Sequence, residues 1–283
     1  MMMYMRFPEG RTKALTFSYD DGVEQDIRLM EIFNKNKLKG TFNLNGSNLI
    51  PEDREYAPGQ FQRPLGHKRA LESYGGELGK NHEIALHCYT HPFLDRLHEN
   101  MATYEVMKDR EFLENMFGRI VRGCAYPMGT TNDMAAEVLR TCGVAYARTV
   151  VSKHDFAIPT DWLKMNATCH HNDPELFNLA DKFLSGTPDY WNTPWLFYVW
   201  GHAYEFDIAQ NWDRIEQFCE KMSGHDDVWY ATNIEIYDYV QAYNSLLFSA
   251  EGKIVKNPSA IPVWFSYADM EIKVEPGETK KFR

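Results

Sequence analysis

The chain of 283 residues carries 30 Lys and Arg against 40 Asp and Glu, a formal charge of -10 at pH 7, and 44% of it is hydrophobic. That length and apolar content suit one large α/β domain with a small addition, while the acidic balance disfavours nucleic acid and anionic membrane as partners. Five cysteines, at 88, 124, 142, 169 and 219, form no C-x-x-C pair and read as reduced thiols; with no signal-like or span-length apolar run, the expected location is the cytoplasm.

In chain order, residues 14–22 come first. Leu15, Phe17 and Tyr19 alternate with Thr16, Ser18 and Asp20, the period-two pattern of a strand with two unlike faces. Neighbouring strand residues point to opposite faces, so Asp20 and Asp21 reach one site only if the chain bends there, which Gly22 permits. A bare Asp-Asp-Gly is otherwise a common strand-ending turn. Ile27, Met30 and Phe33 recur at helical spacing, and 40–46 reads as a second strand. Residues 51–80, with Pro51, Pro58 and Pro64, read as a long loop of the kind that often carries function. Strands follow at 83–87, 120–127, 144–151, 163–169, 195–201 and 228–231, with helices at 95–117, 132–142, 174–185, 211–222 and 233–243. Seven or eight such βα units with apolar strands predict an α/β fold over residues 1–245, its parallel sheet closing or nearly closing into a barrel. The competing doubly wound sheet lacks a Gly-rich phosphate fingerprint after its first strand. Residues 246–283, broken at Glu251-Gly252 and Ala268-Asp269, read as a small β-rich appendage.

His87-Cys88-Tyr89-Thr90-His91 sets two imidazoles four residues apart at a strand end, and Pro92 limits the segment to a single turn or tight loop. Alone, such a pair is more often structural than metal-binding. In a βα barrel, however, the C-terminal strand ends share one face. Asp21, His87 and His91 then offer a divalent cation two nitrogens and one oxygen and leave positions for water, a catalytic ligand count. Asp20 is left free to act on that water.

Thr16-Phe17-Ser18-Tyr19-Asp20-Asp21-Gly22, the His87/His91 pair, Tyr126-Pro127-Met128-Gly129 and Gly201-His202 together resemble, in order, the motifs of the polysaccharide deacetylase family (carbohydrate esterase family 4, the NodB-like domain). The resemblance covers roughly residues 12–245 and implies a distorted (β/α) barrel. It implies Asp21, His87 and His91 as ligands of a divalent metal, usually zinc, with Asp20 as general base and His202 as general acid. The backbone N–H of Met128, where relatives carry Tyr, becomes the oxyanion donor. The implied reaction removes an acyl group, N-acetyl foremost, from an amino sugar or oligosaccharide, with metal-bound water as nucleophile. Tyr126, Trp200 and His170 are the expected substrate contacts, Trp200 replacing an apolar Leu of the acyl pocket.

The departures from the family pattern carry their own expectations. Ala125 stands where relatives carry an arginine that orients the base; Arg148, one strand on, is expected to replace it and pair with Asp20, with Arg122 the nearer alternative. Cys88 replaces the Ser or Thr that follows the first ligand histidine. For the fourth motif, Asp161-Trp162 matches in letters, Asp155-Phe156 lies about as near in spacing, and Thr168-Cys169-His170-His171 is another source of a partner for His202. A second metal held by His170 and His171 is disfavoured because adjacent strand residues diverge. Trp191, Trp195 and Tyr204 are candidates to stack on sugar faces. The rival readings are hydrolysis of a ureide or cyclic amide, a non-haem iron oxygenase using the same two-His, one-carboxylate set, and a catalytically silent carbohydrate-binding protein. An acid His202 has no role in the oxygenase, and Asp20 with His202 argues against the silent binder.

Overall fold

The two-faced pattern of the first long strand decides how the barrel is filled in the computed structural model, which describes residues 3–52, 54–188, 193–268 and 270–282. After β1 (Met3–Arg6), β2 (Lys13–Asp20) is buried along its whole length. Phe17 and Tyr19 turn outward onto Phe33, Phe206 and Phe218, with ring centroids 4.5 to 6.3 Å apart. Thr16, Ser18 and Asp20 turn into the lumen, where Thr16 donates to Asn233 and Ser18 accepts from Asn43, each at 2.8 Å. Polar side chains inside a barrel must be bonded to one another to be tolerated there.

The βα units follow: α1 (Gln25–Lys35), β3 (Thr41–Leu44), α2 (His67–Tyr74), β4 (Glu83–Leu86), α3 (Glu99–Phe117), β5 (Gly123–Ala125), α4 (Asp133–Thr141) and β6 (Tyr146–Ser152). Then come β7 (Met165–Ala167), β8 (Cys169–His170), α5 (Leu176–Ser185), β9 (Trp195–Gly201), α6 (Tyr204–Ala209), α7 (Trp212–Met222), β10 (Val228–Tyr230) and α8 (Asn233–Asn244). The parallel sheet runs β7-β6-β5-β4-β3-β2-β9-β8. Its two ends are consecutive pieces of chain: β7 pairs with β6, β8 pairs with β9, and the Thr168 N–H between them donates to Tyr198 O at 2.9 Å. The sheet therefore closes into the α/β barrel the sequence predicts. One edge of β2 is shared, its first half with β10 and its last residues with β3, and this split distorts the barrel. The helices seal the outer face over a continuous apolar layer that includes Phe17, Phe33, Phe42, Leu86, Phe197 and Phe218, each worth about 1.5–3 kcal/mol when buried.

The remaining strands, β11 (Leu247–Phe248), β12 (Ile254–Lys256), β13 (Val263–Tyr267), β14 (Met270–Val274) and β15 (Thr279–Lys281), form two small antiparallel sheets, β1-β13-β14 and β11-β12-β15. The N-terminal strand β1 thus pairs with β13 across the boundary expected at residue 245. Among the described residues, no helix is long and apolar enough to cross a membrane.

Four local expectations change. The loop expected over 51–80 contains α2, whose eight residues lie between Gly66 and Gly75 and are too few to announce a helical period. The strand expected over 120–127 shrinks to Gly123–Ala125 because Pro127 opens a 3-10 turn. The strand expected over 163–169 divides between two partners, as closure of the barrel requires. The short helix α6, directly after His202, falls outside every predicted element.

Candidate functional site

The C-terminal ends of β2, β4, β8 and β9 bring their chemistry to one rim, with Arg148 of β6 reaching up from below. Beyond Asp20 the backbone enters the left-handed region at Asp21 (φ 84°) and Gly22 (φ 67°). Such a conformation is costly for a residue with a Cβ. It swings the Asp21 carboxylate to the same side as Asp20, and the Asp21 N–H is held by Asn43 O at 3.0 Å. The His87–His91 loop bends similarly, with Cys88 and His91 both at φ 57°. Asp109 accepts from the His87 and Gly46 N–H groups at 3.1 and 2.7 Å, and Asn45 Nδ2 donates to Cys88 O at 2.7 Å, so the loop is braced from beneath.

Asp21 Oδ1 lies 3.6 Å from His87 Nε2 and 3.5 Å from His91 Nε2. His87 Nδ1 is 2.7 Å from Ala125 O. A carbonyl can only accept, so Nδ1 carries the ring proton and Nε2 presents its lone pair to Asp21 and His91. Burial pushes the His87 pKa below the usual 6.5 against the pull of Asp20 and Asp21, which keeps the ring neutral. The remaining oxygen of Asp21 accepts from Gln62 Nε2 at 3.0 Å, which ties the 51–80 segment to the site. Two imidazoles and a carboxylate whose ligand atoms lie within 4.8 Å of one another fit a borderline divalent cation such as zinc.

Asp20 sits beside this group, with Oδ2 3.8 Å from His87 Nε2 and 4.0 Å from His202 Nε2. Arg148 Nη2 approaches both its oxygens at 2.5 Å, and Asn43 Nδ2 donates to Oδ1 at 2.8 Å. Burial alone would lift the Asp20 carboxyl, but Arg148, His87 and His202 hold it at about 2. The Arg148 guanidinium is fully buried, bonds Ser18 Oγ at 3.2 Å and Thr149 O at 3.0 Å, and stacks 4.6 Å over the Trp200 ring.

On the far side of Asp20, His202 Nδ1 lies 3.3 Å from Glu205 Oε1. Burial lowers the His202 pKa, yet Glu205, Asp20 and Asp21 outweigh it and raise the ring above its ordinary value. Glu205 Oε2 is 3.0 Å from His170 Nε2 and 3.1 Å from His171 Nε2. Burial works against its charge, but the three imidazoles hold the Glu205 carboxyl far below the usual range. His170 and His171 therefore do not diverge: the chain turns directly after β8, and both rings reach one oxygen.

Other expected positions fall differently. Arg122 is taken by Asp238 at 2.7 and 2.8 Å, away from Asp20. Asp161 accepts from the Leu163 N–H and Asp155 from the Ala157 N–H, while the carboxylate facing His202 is Glu205. Tyr126 is 1% exposed and its hydroxyl donates to Leu163 O, so its side chain serves the core instead of offering the expected substrate contact. Met128 lies on the turn after β5 with φ 58° and is exposed. Trp195 starts β9 and packs on Phe156 and Phe183. It is the full strand, about 23 Å at 3.3 Å per residue, from His202, too far to stack on a sugar at the site. Tyr204 has its ring 5.2 Å from that of His202 and is placed at the site. Trp191 lies outside the described residues. Asn43, Gln62 and Glu205 are site residues that sequence reasoning missed. Only Glu205, three residues beyond His202 at a helix start, left a readable spacing.

Residues 8–147 match the family model for polysaccharide deacetylase, and the resemblance carried by the ordered motifs stands. A solved structure from Mycobacterium smegmatis, assigned provisionally as a polysaccharide deacetylase, is 19% identical with a TM-score of 0.59, covering 85% of this chain and 94% of that one. That likeness is one of fold. The peptidoglycan deacetylase PdaC of Bacillus subtilis is 16% identical over 84% of this chain and 96% of its own, with a TM-score of 0.49. No curated protein matches the chain.

Proposed function

We propose that this chain is a metal-dependent hydrolase that removes an acyl group, N-acetyl foremost, from an amino sugar or oligosaccharide. The observation that carries the reading is the position of Asp21 Oδ1, within 3.6 Å of two imidazole nitrogens, beside a second carboxylate whose charge Arg148 secures. A divalent cation held by Asp21, His87 and His91 supplies Lewis acidity toward the carbonyl and a more acidic water when bound.

The chain's own residues do the rest. Asp20, ionised at any working pH, accepts a proton from the attacking water; Arg148 and Asn43 fix the direction in which it does so. The backbone N–H of Met128 is the proposed donor to the developing oxyanion, on a turn fixed to β5 through Pro127. His202, whose charged form Glu205 favours, delivers its Nε2 proton to the leaving amine from beside Asp20. Trp200, pressed on Arg148, narrows the space for the acyl group.

A screen of acetate release from N-acetylated amino sugars and their oligomers tests this reading. Release by wild type and its loss in Asp20→Asn is the expected result. Normal turnover by Asp20→Asn removes the base assignment and the mechanism with it.

A further inference from the structure

We infer that His170, His171 and Glu205 form a second, weaker divalent-cation site whose occupation inhibits the hydrolase. The inhibitory part rests on the reading of His202 as acid given above; the binding part does not.

The donor atoms of the three residues lie within 4.8 Å of one another, the same two-nitrogen, one-oxygen set as the first cluster. His171 is fully buried, yet neither ring nitrogen has a hydrogen-bond partner. Leaving a buried polar group unpaired costs about 1–3 kcal/mol, so such a side chain points to a ligand. The ring is also aimed: it stacks between Phe206 at 4.2 Å and Tyr19 at 5.6 Å. Its Nδ1 edge lies against Gly201, where a Cβ would come within 2.0 Å of it. Only Nε2 is left facing Glu205 Oε2, 3.1 Å away without the alignment of a hydrogen bond. Two imidazoles and a carboxylate are a donor set that suits zinc and its neighbours.

The ranking of the two sites follows from ring protons. His87 has its Nδ1 proton fixed by Ala125 O and presents Nε2 ready to ligate. His170 Nδ1 instead accepts from the Asn172 N–H at 3.1 Å, which places the ring proton on Nε2. Binding through Nε2 must move that proton to Nδ1 and release the Asn172 N–H, so the second site is weaker. The inhibition follows from Glu205. A cation on Oε2 engages the carboxylate whose Oε1 lies 3.3 Å from His202 Nδ1, so the acid loses the contact that orients its ring.

Equilibrium dialysis of metal-stripped protein against chelator-buffered zinc tests the site, with wild type, Asp21→Asn and His170→Ala compared. Circular dichroism checks that each variant is folded. Two binding steps are expected for wild type, with the weaker lost in His170→Ala and kept in Asp21→Asn. In the same zinc series, deacetylation by wild type should fall several-fold as the weaker step fills. A single step in wild type, or both steps surviving in His170→Ala, overturns the second site. Loss of the weaker step without relief of inhibition overturns its inhibitory role. An unchanged tighter step in Asp21→Asn contradicts the proposed catalytic ligands and leaves the second site standing.

Discussion

Arg148 and Asp20, 128 residues apart in sequence, meet in the barrel lumen with Nη2 at 2.5 Å from both carboxylate oxygens and both side chains at most 3% exposed. A buried pair of this kind adds little net stability, but removing one partner strands the other charge and costs about 3–5 kcal/mol. Arg148→Met should therefore lower stability by roughly that amount. Asp20→Asn/Arg148→Met should recover much of the loss, since no charge is then stranded. Urea midpoints of the two variants check this, and equal destabilisation in both would show that packing against Trp200 dominates.

Asp20→Asn keeps the shape of the site and removes the proton acceptor. Turnover should fall by about 10²–10⁴-fold, the usual worth of a positioned base. Metal content should stay at the wild-type level, because Asp21, His87 and His91 are untouched. Elemental analysis alongside steady-state rates separates the two effects.

His202 must be protonated to act as an acid, so activity should fall as pH rises through its pKa, which lies above that of an ordinary imidazole. Glu205 favours the charged ring. Glu205→Gln should therefore move the alkaline limb of the kcat profile to lower pH. A limb that stays in place assigns it to some other group.

Glu83, at the opposite end of the barrel, makes a pH prediction for stability. Burial raises its carboxyl to about 7, although the Ile234 N–H and the Tyr146 and Thr41 hydroxyls donate to it and hold it down in part. A folded-state pKa above the unfolded one means the contribution is complete below the usual carboxylate range. It is lost as pH rises toward 7. Between pH 4.5 and pH 7 wild type should lose roughly 1–3 kcal/mol that Glu83→Gln does not lose, one pKa unit being worth about 1.4 kcal/mol. Urea titrations across that range compare the two slopes.

What the sequence disclosed follows from how each feature is encoded. The barrel was legible because each strand carries a local pattern, and the alternation about Phe17 and Ser18 maps directly onto its helix-facing and lumen-facing sides. The Asp20-Asp21 bend was legible because consecutive carboxylates followed by Gly22 make sense only if the chain turns. Glu205 and Gln62 were not, because their roles depend on where a six-residue helix and an irregular loop come to rest. Trp195 misled for a related reason: an aromatic residue on the right strand says nothing about which end of the barrel it occupies.

The central claim is that one cation on Asp21, His87 and His91 is required for hydrolysis, and metal replacement tests it most directly. Protein stripped by a chelator and then given one equivalent of zinc should regain acetate release from an N-acetylated chito-oligosaccharide, while Asp21→Asn treated identically should neither retain that ion nor regain activity. Undiminished acetate release by the stripped protein, or full recovery by Asp21→Asn, would contradict the account.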